Sequence, residues 1–146
     1  MLMGKKMIRI LFYTGDDFVS RVVKKVTKSE LTHASIQVDK FHIVEAAIGK
    51  PLSIKHFQDY SKVVYFIDIY LTEWQYDMVV KKVMEELDKD YDVEDIISFL
   101  IPFVKGSNKK RICTEFIIEV LKVIGYKFED KLYSPQELYA TLKEIV

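Results

Sequence analysis

Residues 32–51 read THASIQVDKFHIVEAAIGKP. From His33 to Asp39 polar and apolar residues alternate, which places Ala34, Ile36 and Val38 on one side of an extended chain and His33, Ser35, Gln37 and Asp39 on the other. A second run, Phe41 to Ala47, follows a tight connection around Asp39 and Lys40, and Gly49 and Pro51 end it. The two runs predict an antiparallel hairpin. The length of the connection decides what this hairpin can do. A two-residue turn puts Glu45 on the face of Ala34, whereas an odd-length connection or one bulge puts it opposite His33 or Ser35, on the face of His33. The odd-length turn is the expectation.

Outward from the hairpin, Met7 to Tyr13 is a short apolar run ended by Gly15 and predicts a buried strand. Asp16 caps a helix whose apolar face is Phe18, Val19, Val22, Val23 and Val26 and which stops near Lys28. His56 falls in a polar connecting segment. Val63 to Tyr70, apolar almost throughout, predicts a strand covered on both sides. Thr72 and Gln75 form a capping box for a helix lined by Tyr76, Val79, Val80, Val83, Met84 and Leu87. Asp92 caps a short helix through Ile96, Ile97, Leu100 and Ile101, followed by an exposed loop at 105–110. A nearly all-apolar helix then runs from about Cys113 to Ile124 and stops at Gly125. Ser134, Pro135 and Glu137 start a last helix bearing Leu138, Leu142 and Ile145. This order predicts one α+β domain over residues 1–146, with helices packed on a small antiparallel sheet.

Composition narrows the function classes. The 22 basic and 22 acidic side chains cancel, so no net field draws the chain to nucleic acid or anionic lipid. Lys109, Lys110 and Arg111 form a local basic run without the aromatic interleaving of a nucleic-acid site. With one cysteine neither an internal disulfide nor a zinc site of several thiolates can form. Asp88, Asp90, Asp92 and Glu94 resemble a calcium loop, but Val93 stands where the bend needs glycine and Phe99 where the bidentate glutamate belongs. No metal or cofactor is expected. The apolar run near the N-terminus is too short for an export signal, and no stretch of about twenty apolar residues is present. A soluble, cytoplasmic protein without membrane insertion is expected.

Cys113 is either inert packing or a reactive thiol. At a helix start, the unsatisfied N–H groups and the dipole favour a thiolate, and the preceding Lys109, Lys110 and Arg111 add positive potential. Such a nucleophile needs an imidazole, oriented by a third group. Three histidines are available, His33, His42 and His56. Only His33 is followed on the paired strand by a carboxylate, Glu45, set among apolar residues where an unpartnered charge is costly.

The strings THASIQVDKFHIVEAAIGKP and ICTEFIIEVLKVIGYKF together resemble the two signatures of the circularly permuted NlpC/P60 (papain-like) superfamily, in particular its YiiX-like branch. The matching residues are His33-Ala34, Glu45-Ala46 and Cys113-Thr114-Glu115 followed by Gly125; threonine replaces the more usual serine after the cysteine. Softer matches are Gly15, Ser20, Thr27, Tyr91-Asp92 and Ser134-Pro135 with Leu138. The order of histidine before cysteine distinguishes the permuted branch. The resemblance implies a permuted papain-like fold and a cysteine hydrolase in which Cys113 attacks an amide or ester carbonyl, His33 moves the proton and Glu45 holds the ring's tautomer. It implies the Cys113 backbone N–H as oxyanion donor, with Tyr13 a weaker candidate for substrate contact or oxyanion support. The substrates implied are small peptides, including cell-wall-derived muropeptides. Acyl esters of a thioesterase or lipid acyl hydrolase are the alternative, and a non-catalytic binding domain on the same frame is the third reading.

Overall fold

Alternation along the first strand sets the architecture. Ile8, Ile10 and Phe12 are fully buried in the main core, while Arg9, Leu11 and Tyr13 point to the other side of the sheet. The computed structural model describes residues 6–15, 21, 24–25, 30–46, 52–57, 60–87, 113–131 and 133–146. The expected 105–110 loop and the helix expected from Asp92 to Ile101 lie outside them, as does nearly all of the helix expected between Asp16 and Lys28 and the side chain of Cys113.

Among the described residues the strands are β1 (Lys6–Tyr13), β2 (His33–Gln37), β3 (His42–Glu45), β4 (Ser53–His56) and β5 (Val63–Leu71). The helices are α1 (Glu73–Leu87), α2 (Cys113–Val123) and α3 (Pro135–Ile145). The strands form one antiparallel sheet in the order β4-β3-β2-β1-β5. α2 lies against β2, α1 against β1, β5 and α2, and α3 against β5. Their buried side chains, among them Val79, Val83, Phe116, Val120, Leu121, Leu138 and Leu142, join the Ile8–Ile10–Phe12 face in a single core. The domain is α+β, as the sequence predicts.

The helix ends follow local chemistry. Thr72 and Gln75 exchange side-chain bonds with each other's backbone N–H, at 3.0 and 3.1 Å, and Ser134 and Glu137 do the same for α3 with Pro135 in its first turn. Gly125 ends α2 at φ 110°. Its N–H reaches the Lys122 carbonyl and that of Tyr126 the Leu121 carbonyl, a Schellman closure. Glu86, buried in α1, is paired with Lys82 at 3.2 Å.

Three expectations need correction. His56 belongs to β4, not to a connecting segment: Ser53 to His56 pairs with β3, and the four-residue strand is too short and polar for its alternation to show. β5 is not covered on both sides. Its Val64, Phe66 and Tyr70 are exposed, and the Arg9 guanidinium, bidentate to Asp68, lies over the Phe66 ring 4.2 Å away. An apolar run alone does not distinguish a sandwiched strand from one masked by an arginine stem and its cation–π contact. On α1, Val79 and Val83 are buried but Val80 and Met84 are exposed, so the apolar stripe is narrower than the residue pattern implies.

Candidate functional site

The link between β2 and β3 has the odd length that brings His33 and Glu45 to one face. Val38 donates to the His42 carbonyl, leaving Asp39, Lys40 and Phe41 as the connection, and Ile36 pairs with Val44 and Gln37 with Ile43. Asp39 holds this turn. Its Oδ1 accepts the backbone N–H groups of Phe41 and His42 at 2.7 and 2.9 Å, and the His42 ring bonds to the same carboxylate. Those bonds keep Asp39 below the usual carboxylate range against the opposing effect of burial. Continued one step, the ladder sets Glu45 opposite Ser35 and one diagonal step from His33, on the same face.

His33 Nε2 stands 2.8 Å from Glu45 Oε2. The other oxygen, Oε1, takes Lys55 Nζ at 2.7 Å. Glu45 itself is only 13% exposed, so its charge depends on these partners. The bond to His33 is the largest cause of a carboxyl pKa pulled down from 4.5 to about 2, with Lys55 adding to it and desolvation opposing it. An ionised carboxylate only accepts hydrogen bonds, so Nε2 must carry the proton. In the neutral ring the basic lone pair is therefore on Nδ1.

Tyr13 pairs with His33 across β1 and β2, and their rings lie 5.3 Å apart at 37°. Its phenol is 2.6 Å from the Ser35 hydroxyl. Burial, opposed by this hydrogen bond, pushes the phenol up to about 12. At neutral pH it therefore carries its proton and can act as a donor beside the imidazole. His42 and His56 form a separate pair, rings 5.3 Å apart, and alternation turns them to the face opposite Glu45 and Lys55.

The described part of α2 begins at Cys113, whose thiol lies outside the described residues. The next residue, Thr114, is fully buried and donates its hydroxyl to the Tyr133 carbonyl at 2.6 Å. This bond ties the first turn of α2 to the chain just before the Ser134 cap of α3. The structure thus gathers His33, Glu45 and Tyr13 of the expected residues, and adds Lys55 and Ser35. Lys55 carries no local signal: it lies on the four-residue strand Ser53–His56, whose residues are mostly exposed and show no apolar alternation.

A scan against protein-family models matches no family, and a search of curated proteins finds no match.

Proposed function

We propose that this chain is a cysteine hydrolase of the permuted papain-like type that cleaves an amide bond in a small peptide, with Cys113 as nucleophile, His33 as base and Glu45 as orienting carboxylate. The observation that carries the reading is the His33–Glu45 bond at 2.8 Å through Nε2, which makes Nδ1 the proton acceptor. The thiol would yield its proton to Nδ1 as sulfur attacks the carbonyl carbon, and the imidazolium would return it to the leaving amine. Water, deprotonated by the same nitrogen, would then attack the acyl carbon, and the C–S bond would break as the imidazolium gives that proton to the departing sulfur. Glu45 offsets the imidazolium charge in both steps.

The reading sets a geometric demand. The buried residues of α2 pack against the Ala34–Ile36 face of β2, whereas His33 lies on the other face. A thiol at the start of α2 can meet the imidazole only past the end of β2, and His33 is the first residue of that strand. The residue after the cysteine is fixed to Tyr133, which limits how far this helix start can wander.

Muropeptides and acyl esters offered to the wild type and to Cys113→Ala test the proposal. Hydrolysis of a peptide amide by the wild type and not by the variant supports it. Turnover of esters alone moves the reading to an acyl hydrolase, and turnover of neither, or equal turnover by both proteins, overturns it.

A further inference from the structure

Glu45 is held from two sides, and the proposed roles of His33 and Glu45 account for only one of them. Register places Glu45 opposite Ser53 and Lys55 opposite Ile43, so Lys55 is the diagonal neighbour of Glu45 on β4 as His33 is on β2. The three side chains run obliquely across three strands on one face. Oε2 meets His33 Nε2 at 2.8 Å and Oε1 meets Lys55 Nζ at 2.7 Å.

Resting on the reading of His33 as base and Glu45 as its carboxylate, we propose that Lys55 is a positioning residue of this pair. By holding Oε1 it fixes the plane of the carboxylate and tempers its pull on the imidazole proton. Two physical effects carry this. The terminal torsion of a glutamate is broad, so a carboxylate bound at one oxygen can swing, whereas one bound at both cannot turn without losing a partner. An unbalanced carboxylate also favours the imidazolium, and a general base serves best when its pKa lies near the working pH. An ammonium on the far oxygen opposes that shift. Ordinary surface ion pairs contribute little, and Lys55 itself is 51% exposed. Its partner, however, is largely buried and already bonded to the imidazole, so the effect is transmitted to His33 even where the stability gain is small.

The test uses Lys55→Met, Lys55→Gln and Lys55→Arg in the full chain, with the His33 ring followed by NMR as pH is varied. Removing the ammonium in the Met and Gln variants raises the His33 midpoint by about half a pH unit, and Arg restores it. The imidazole-dependent limb of Cys113 alkylation by iodoacetamide moves in the same direction. Substrate turnover in the Met variant falls about three- to tenfold in kcat with KM unchanged, and recovers in the Arg variant. A His33 midpoint that is the same in wild type, Met and Gln variants overturns the proposal. The outcome is separable from the hydrolase reading: if Cys113→Ala and wild type are equally active, that reading fails, while the His33 titration still decides whether Lys55 governs the pair.

Discussion

His33 Nε2 and Glu45 Oε2 stand 2.8 Å apart across adjacent strands, although twelve positions separate the two residues in the chain. The contact exists because three residues, not two, join β2 to β3, and because the Asp39 carboxylate holds that connection through the backbone of Phe41 and His42. The burial of Glu45 and its bonds to His33 and Lys55 determine the tautomer of the ring, and with it the direction in which the imidazole can accept a proton.

The depressed Glu45 carboxyl makes stability pH-dependent. A group whose folded pKa lies below its unfolded value contributes stability fully above the unfolded value and loses it as pH falls through the folded one. With 4.5 falling to about 2, wild type should exceed Glu45→Gln by on the order of 3 kcal/mol at neutral pH. Urea denaturation at a series of acidic pH values should show this gap narrowing as pH falls below 4.5 and closing near 2. A gap independent of pH over that window would show that Glu45 is not ionised through its partners.

Thr114 ties α2 to the segment before α3. Thr114→Val keeps the shape but leaves the Tyr133 carbonyl without its 2.6 Å donor, which should cost about 1–3 kcal/mol in denaturant unfolding. Thr114→Ser keeps the hydroxyl and should lose only about 1 kcal/mol for the buried methyl. A smaller loss in Thr114→Val than in Thr114→Ser would assign the role of this residue to packing instead of to the bond.

Gly125 at φ 110° closes α2, and a Cβ built there meets nothing within 4 Å. Gly125→Ala should therefore destabilise through the backbone alone, by about 1–2 kcal/mol, without disturbing the core. Thermal unfolding should fall while near-UV circular dichroism stays that of the wild type. A lost near-UV signal would point to a packing role that the open surroundings do not suggest.

The sequence made some of this legible and hid the rest for physical reasons. Capping signals are local, so Thr72–Gln75, Ser134–Glu137 and Gly125 place helix ends that the structure bears out. Alternation assigned Ala34 and Ile36 to the core and His33 and Ser35 to the other face. Register is different, because a slip of one residue exchanges the faces of β3. The bonds that Asp39 makes within the turn and the burial of Val44 fit the observed register. β4 and its Lys55 leave no periodic mark in the sequence, because four residues give too short a period to recognise. Arg9 lying over Phe66 is a contact between residues distant in sequence that no local pattern records, and it accompanies exposed side chains on one face of β5. His33 is legible because it lies on the polar side of an alternating strand, and Glu45 because a carboxylate stands among Val44, Ala46 and Ala47.

The central claim, that the His33–Glu45 pair serves the Cys113 thiol, is tested most directly by the pH dependence of iodoacetamide alkylation of Cys113 in wild type and in His33→Gln. The account predicts a wild-type thiolate midpoint well below the ordinary thiol value of about 8.5, moving up towards that value when the imidazole is removed. A wild-type midpoint near 8.5 that His33→Gln leaves in place would contradict it.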